Sequence, residues 1–122
     1  MSNVELALNA DISVGECPVW VPEEQAIYFT DIAGTTMNRF HPSSGEHKQW
    51  EMPEKLCCFA FRERGGLVAA MSSGFAFLDL EAGSVDYISK IEEDQPENRL
   101  NDGRCDRQGR FWAGTMHEPR SK

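Results

Sequence analysis

Three stretches of the chain can be laid over one another: Trp20–Asp31 (WVPEEQAIYFTD), Phe61–Ser72 (FRERGGLVAAMS) and Cys105–Met116 (CDRQGRFWAGTM). Each starts on an apolar residue, crosses a short polar turn and enters an apolar strand. Phe61 follows Trp20 by 41 residues and Cys105 follows Phe61 by 44. A period of about 40 to 50 residues with four strands per unit is the signature of propeller blades. The competing reading is one β-sandwich of about eight to ten strands with no true repeat.

Outward from these stretches, apolar residues come in short runs or alternate, and turn residues interrupt them about every eight to twelve positions, as expected for strands. The chain therefore reads as all-β. Strands are expected at Pro18–Val21, Ala26–Asp31, Met37–His41 and His47–Met52, then at Cys57–Phe61, Gly66–Met71, Gly74–Asp79 and Val85–Ile88. After an acidic connection, Glu92 to Asn98, a third unit begins with Gly103–Asp106 and Arg110–Thr115. The 122 residues thus make about two and a half four-stranded blades. Since propellers close with at least about four blades, the expectation is a partial propeller domain over residues 1–122, truncated at its C-terminus, with open blade edges through which two copies could associate.

Composition narrows the function classes. With 40% hydrophobic and 26% charged residues the chain is an ordinary globular sequence, not a disordered one. Twenty acidic residues against 12 basic leave a formal charge of −8, which opposes binding to nucleic acid or to an anionic membrane. Asn3, Glu5 and Asn9 interrupt the apolar positions at the start, so no secretory signal is readable there. The cysteines Cys17, Cys57, Cys58 and Cys105 form no CxxC pair. A reduced, cytoplasmic setting with four small buried thiols is expected.

Two segments stand out chemically. In Gly15-Glu16-Cys17-Pro18-Val19-Trp20 a carboxylate sits between a glycine and an apolar strand start. If Glu16 faces inward it needs a cation or a donor; otherwise it is an exposed loop residue. Arg99-Leu100-Asn101-Asp102-Gly103 concentrates a cation, an amide and a carboxylate ahead of the third unit's first strand. Such a loop can hold a polyhydroxylated ligand; equally, Asn-Asp-Gly is ordinary tight-turn chemistry. The histidines His41, His47 and His117 lack metal-site spacing, and there is no Gly-x-Ser-x-Gly elbow. Phe111 and Trp112 read as core.

Taken together, Gly15–Trp20, Tyr28-Phe29-Thr30-Asp31-Ile32, Arg99–Gly103 and Gly109-Arg110-Phe111-Trp112-Ala113-Gly114-Thr115-Met116 resemble the SMP-30 (regucalcin), gluconolactonase and luciferin-regenerating enzyme family, in order and over essentially the whole chain. The resemblance implies the amino-terminal part of a six-bladed β-propeller whose tunnel holds one divalent metal ion, whether calcium, zinc, iron or manganese, and which hydrolyses sugar lactones. On that pattern Glu16 is a metal ligand, and Arg99 and Asn101 hold the substrate. Glu118 is the acid nearest the family's substrate-binding glutamate; it lies one position early, with Pro119 at the strict position. The family's other two metal ligands, an asparagine and the aspartate that transfers the proton, are expected beyond Lys122. No catalytic residue is thus expected within the chain, which alone would be inactive. The alternative is a calcium-binding or ligand-binding propeller without turnover.

Overall fold

The structure is a computed structural model and describes residues 3–119. Ten strands follow in chain order: β1 (Gly15–Val21), β2 (Ala26–Asp31), β3 (Thr36–Phe40), β4 (His47–Glu51), β5 (Leu56–Phe61), β6 (Leu67–Met71), β7 (Gly74–Asp79), β8 (Ser84–Lys90), β9 (Asn98–Cys105) and β10 (Phe111–His117). They form two four-stranded antiparallel meanders, β1-β2-β3-β4 and β5-β6-β7-β8, followed by the pair β9-β10. These sheets are successive blades of a β-propeller, so the fold is all-β as the repeat implied.

The repeat is visible in the register. Ala26, Leu67 and Phe111 open the second strand of each blade, and their partners are Val21, Phe61 and Cys105. The first hairpin turn is one residue shorter than the other two, so Val21 rather than Trp20 is the structural counterpart of Phe61. Each turn contains a residue with positive φ near its end, Gln25 (53°), Gly65 (92°) and Gly109 (83°). Only the first of these is not a glycine.

The blades pack face to face. Tyr28, Met37, Leu56, Phe59, Leu67 and Met71 fill the interface between the first and second blades. Cys58, Ala70 and Leu100, with Phe75 and Phe111 against them, fill the next one. Hydrogen bonds tie the inner strands across these interfaces. The buried Thr30 hydroxyl donates to Leu56 O at 2.6 Å, and Leu100 N donates to Ser72 O at 3.2 Å.

Three expectations need correction. The segment Arg99–Gly103 is not a turn ahead of a strand; it lies inside β9. Pairing with β10 runs on through a bulge, where Asn101 and Asp102 stand opposite Gly114 alone. Gly103 is there for close approach and not for positive φ, since a Cβ would run into the Trp112 carbonyl. Phe111 packs edge-on against Phe75, but Trp112 is 61% exposed and donates its indole N–H to Asp106. Cys57 and Cys58 are buried and Cys17 half-buried, whereas Cys105 is exposed.

Candidate functional site

The first strands of the three blades, β1, β5 and β9, each carry a bulge at the same level. Immediately before it, Glu16 pairs with Thr30, Leu56 with Met71 and Leu100 with Thr115. Glu16, Leu56 and Leu100 therefore hold equivalent places in successive blades. Leu56 and Leu100 are fully buried in the blade interfaces. Glu16 is exposed, and among the described residues nothing hydrogen-bonds or ion-pairs with its carboxylate. A position that is leucine in two blades is thus a free carboxylate in the first. Directly after it Cys17 adopts a φ of 55°, and the Cys17-Pro18 pair forms the bulge opposite Phe29. Pro18, which has no N–H to give, fits in a strand at such a place.

Asp31 secures the approach to Glu16. It is only 3% exposed. One carboxylate oxygen accepts Val14 N at 2.9 Å and Gly34 N at 3.1 Å, and the other accepts Ser13 N at 3.0 Å. Burial alone would raise its pKa, but the three backbone amides outweigh burial and hold it below its ordinary value. Gly34 has to be glycine for this, because a Cβ would collide with the carboxylate. The second blade inverts the arrangement. Glu54, from the segment before β5, accepts Ser72 Oγ and Ser73 Oγ, each at 2.6 Å, Ser73 N at 3.0 Å, and the Tyr87 hydroxyl.

Arg99, Asn101 and Glu118 come together. Arg99 Nε donates to Glu118, and its Nη1 donates to Asn101 Oδ1 at 3.1 Å and to Leu100 O at 2.9 Å. Glu118 follows β10 directly, and its backbone N–H is fixed to Glu97 O at 2.9 Å. Lys55 completes the group, with Nζ 2.8 Å from the other Glu118 oxygen. These bonds, Lys55 foremost and Arg99 next, hold the Glu118 carboxyl below its ordinary pKa against partial burial. Cys57 Sγ lies 3.5 Å from Arg99 Nη1, and burial pushes its thiol up so that it stays neutral.

Glu16 does not join this cluster. It lines a cleft of about 1330 Å³ between the inner strands, with Cys17, Phe59, Asp102, Arg104 and Trp112 among the other walls. The described residues contain no group of three or more His, Cys, Asp or Glu placed to hold a metal ion. Glu16 offers a single carboxylate, whose hard oxygens suit a divalent cation as one ligand group of several.

Lys55, Cys57 and Asp31 escaped the reading of the sequence as site residues. A signal for the first existed: Lys55 precedes Arg99 by 44 residues, the repeat offset, and each stands just before the leucine that opens the bulge.

Known proteins resemble this chain in sequence and fold. A 6-deoxy-6-sulfogluconolactonase from Pseudomonas putida is 39% identical over 109 residues, 89% of this chain and 38% of that protein. Regucalcin from Xenopus laevis is 36% identical over 115 residues, 94% of this chain and 38% of that protein. The chain therefore spans well under half the length of these relatives. Among solved structures, a calcium-binding protein, regucalcin, from Agrobacterium tumefaciens superposes with a TM-score of 0.81 at 26% identity, covering 88% of this chain and 37% of that one. Residues 14–122 match the SMP-30/gluconolactonase/LRE-like region, and the chain belongs to that family.

Proposed function

We propose that this chain supplies the metal-anchoring and substrate-holding strands of a metal-dependent sugar lactonase, an enzyme that opens an aldonolactone with water. The observation that carries the reading is the Arg99–Asn101–Glu118 cluster, set one strand position from the level of the free Glu16 carboxylate. The lactonase named among the relatives and the family description support the reaction class.

The chain's own residues have separable tasks. Glu16 is one anchor for a divalent ion, with the remaining ligands contributed by later blades. When bound, such an ion polarises a carbonyl and lowers the pKa of water. Arg99 presents a planar fork of donors to ring and carbonyl oxygens, held in one orientation by Glu118, Asn101 and the Leu100 carbonyl. Asn101 both donates and accepts, matching a hydroxyl. Glu118 stays ionised and accepts hydroxyl protons. This preorganisation limits the poses of the lactone and so raises the rate. Turnover belongs to the complete propeller, and residues 1–122 alone are inactive. The substrate is a small sugar lactone, and the four free thiols favour a cytoplasmic setting. No helix among the described residues is long and apolar enough to cross a membrane.

A second reading, a calcium-binding propeller without turnover, draws on the description of the Agrobacterium tumefaciens regucalcin as a calcium-binding protein. The two separate in one experiment. A complete propeller that carries this chain as its first blades is prepared as the full-length product or as a chimera with the later blades of the Pseudomonas putida relative. Acid release from gluconolactone is then followed at constant pH. Turnover that falls at least about tenfold in Arg99→Ala and in Asn101→Ala supports the lactonase. Calorimetric calcium binding with no acid release supports the second reading.

A further inference from the structure

We propose that Lys55 reads an anionic group on the substrate, so that the preferred lactone is an acidic one bearing a phosphate, sulfonate or carboxylate rather than a neutral sugar lactone. The proposal rests on the lactonase reading above and deepens it.

Lys55 and Arg99 each precede the leucine of the bulge in adjacent blades, Lys55 at the entry to β5 and Arg99 within β9, so two cations stand at equivalent positions of neighbouring blades. One carboxylate serves both: Glu118 binds Lys55 Nζ at 2.8 Å through one oxygen and Arg99 through the other. Two positive charges against one negative leave the cluster net positive, in a chain whose overall charge is −8. Glu54, which precedes Lys55 in the chain, is already committed to Ser72, Ser73 and Tyr87, with Lys90 Nζ 4.0 Å away. The Cys57 thiol against Arg99 is neutral and does not offset the excess.

Hydrogen-bond supply points the same way. A neutral polyol needs acceptors as well as donors. Here each Glu118 oxygen and Asn101 Oδ1 already accept one bond from a cation, which leaves reduced acceptor capacity for substrate hydroxyls. An ammonium has three N–H donors, and Lys55 donates only to Glu118 among the described residues. The Lys55 side chain is 34% exposed and the Arg99 side chain 13%, so the lysine is the more accessible cation. What the cluster has to spare is positive charge and N–H groups, and an anion with several oxygens satisfies both.

The test uses the complete propeller with neutral D-glucono-1,5-lactone and with lactones bearing a 6-phosphate, a 6-sulfonate or a 6-carboxylate. The wild type is expected to favour at least one acidic lactone in kcat/KM by about tenfold or more at low ionic strength, with the preference shrinking as salt is added. Lys55→Gln should lower kcat/KM for that lactone by about 10- to 100-fold, through KM, and by at least about fivefold more than for the neutral lactone, which loses only the bracing of Glu118. Lys55→Arg should restore most of the loss. Equal losses on neutral and acidic lactones would make Lys55 a mere brace for Glu118 and overturn the proposal, as would a wild type with no acidic preference. If no lactone is turned over, the lactonase reading fails by itself. The Lys55 proposal then stands or falls on calorimetric binding of 6-phosphogluconate, which Lys55→Gln must abolish.

Discussion

Replacing Asp31 by asparagine tests whether the segment leading into Glu16 is held by one buried carboxylate. Asparagine is nearly isosteric and keeps one carbonyl oxygen, which can still accept Val14 N and Gly34 N. Its amide nitrogen then faces Ser13 N, where a carboxylate oxygen had accepted at 3.0 Å. One charge-assisted bond is lost and a donor meets a donor, while the two remaining bonds weaken to neutral ones. Hydrogen bonds to a charged group contribute about 1.5–3 kcal/mol each, against roughly 1 for neutral pairs, so a loss of about 2–4 kcal/mol is expected. Urea unfolding followed by tryptophan fluorescence measures it. The pH dependence has a definite sign. Asp31 has a folded pKa below its ordinary 3.8, so its contribution is present in full above that value and disappears as pH falls through the folded pKa. The gap between wild type and Asp31→Asn should be constant from about pH 5 to 8 and close only below about pH 4. A gap under about 0.5 kcal/mol at pH 7, or one that closes near neutrality, would refute the reasoning.

Other expectations follow from the same contacts. Tyr87, raised to about 12 by burial first and by its bond to Glu54 next, should ionise closer to its ordinary value of 10 in Glu54→Gln, as read by ultraviolet absorbance. Of the four thiols only Cys105 is exposed, and burial pushes Cys58 up to about 12. Rapid labelling by a thiol reagent at pH 8 should therefore report one group, and Cys105→Ser should remove that fast phase. Leu100→Ala, at a residue 1% exposed between the second and third blades, should cost about 2–5 kcal/mol in unfolding free energy.

The blade pattern was legible because it depends on what a sequence displays openly: short apolar strands and polar turns recurring at a fixed offset. Turn chemistry was less transparent. Asn101-Asp102-Gly103 carries the composition of a tight turn, yet β10 continues to pair across it, and Gly103 serves to admit the Trp112 carbonyl. Composition cannot separate a bulge from a turn, since both use small and amide residues; the partner strand decides. Glu16, Arg99 and Asn101 were singled out through resemblance to a family; the structure brings Arg99 and Asn101 together with Glu118 and leaves Glu16 apart from them. Glu118 now has a geometric role, bridging Arg99 and Lys55. Lys55 and Asp31 remained hidden because their importance lies in contacts made across a blade interface or across 17 to 18 residues of chain. Trp112 shows the reverse error: an aromatic residue alternating with core positions lies on the exposed face of β10.

In the proposed lactonase Glu16 anchors the metal on which hydrolysis depends. The most direct test is a calcium, zinc and manganese titration of the complete propeller, with acid release from a sugar lactone measured at each metal concentration for wild type and Glu16→Gln. The wild type should be reactivated after chelation, and Glu16→Gln should need at least about tenfold more metal and lose turnover in parallel, with unfolding free energy unchanged. Equal metal affinity and equal turnover in the two proteins would contradict it.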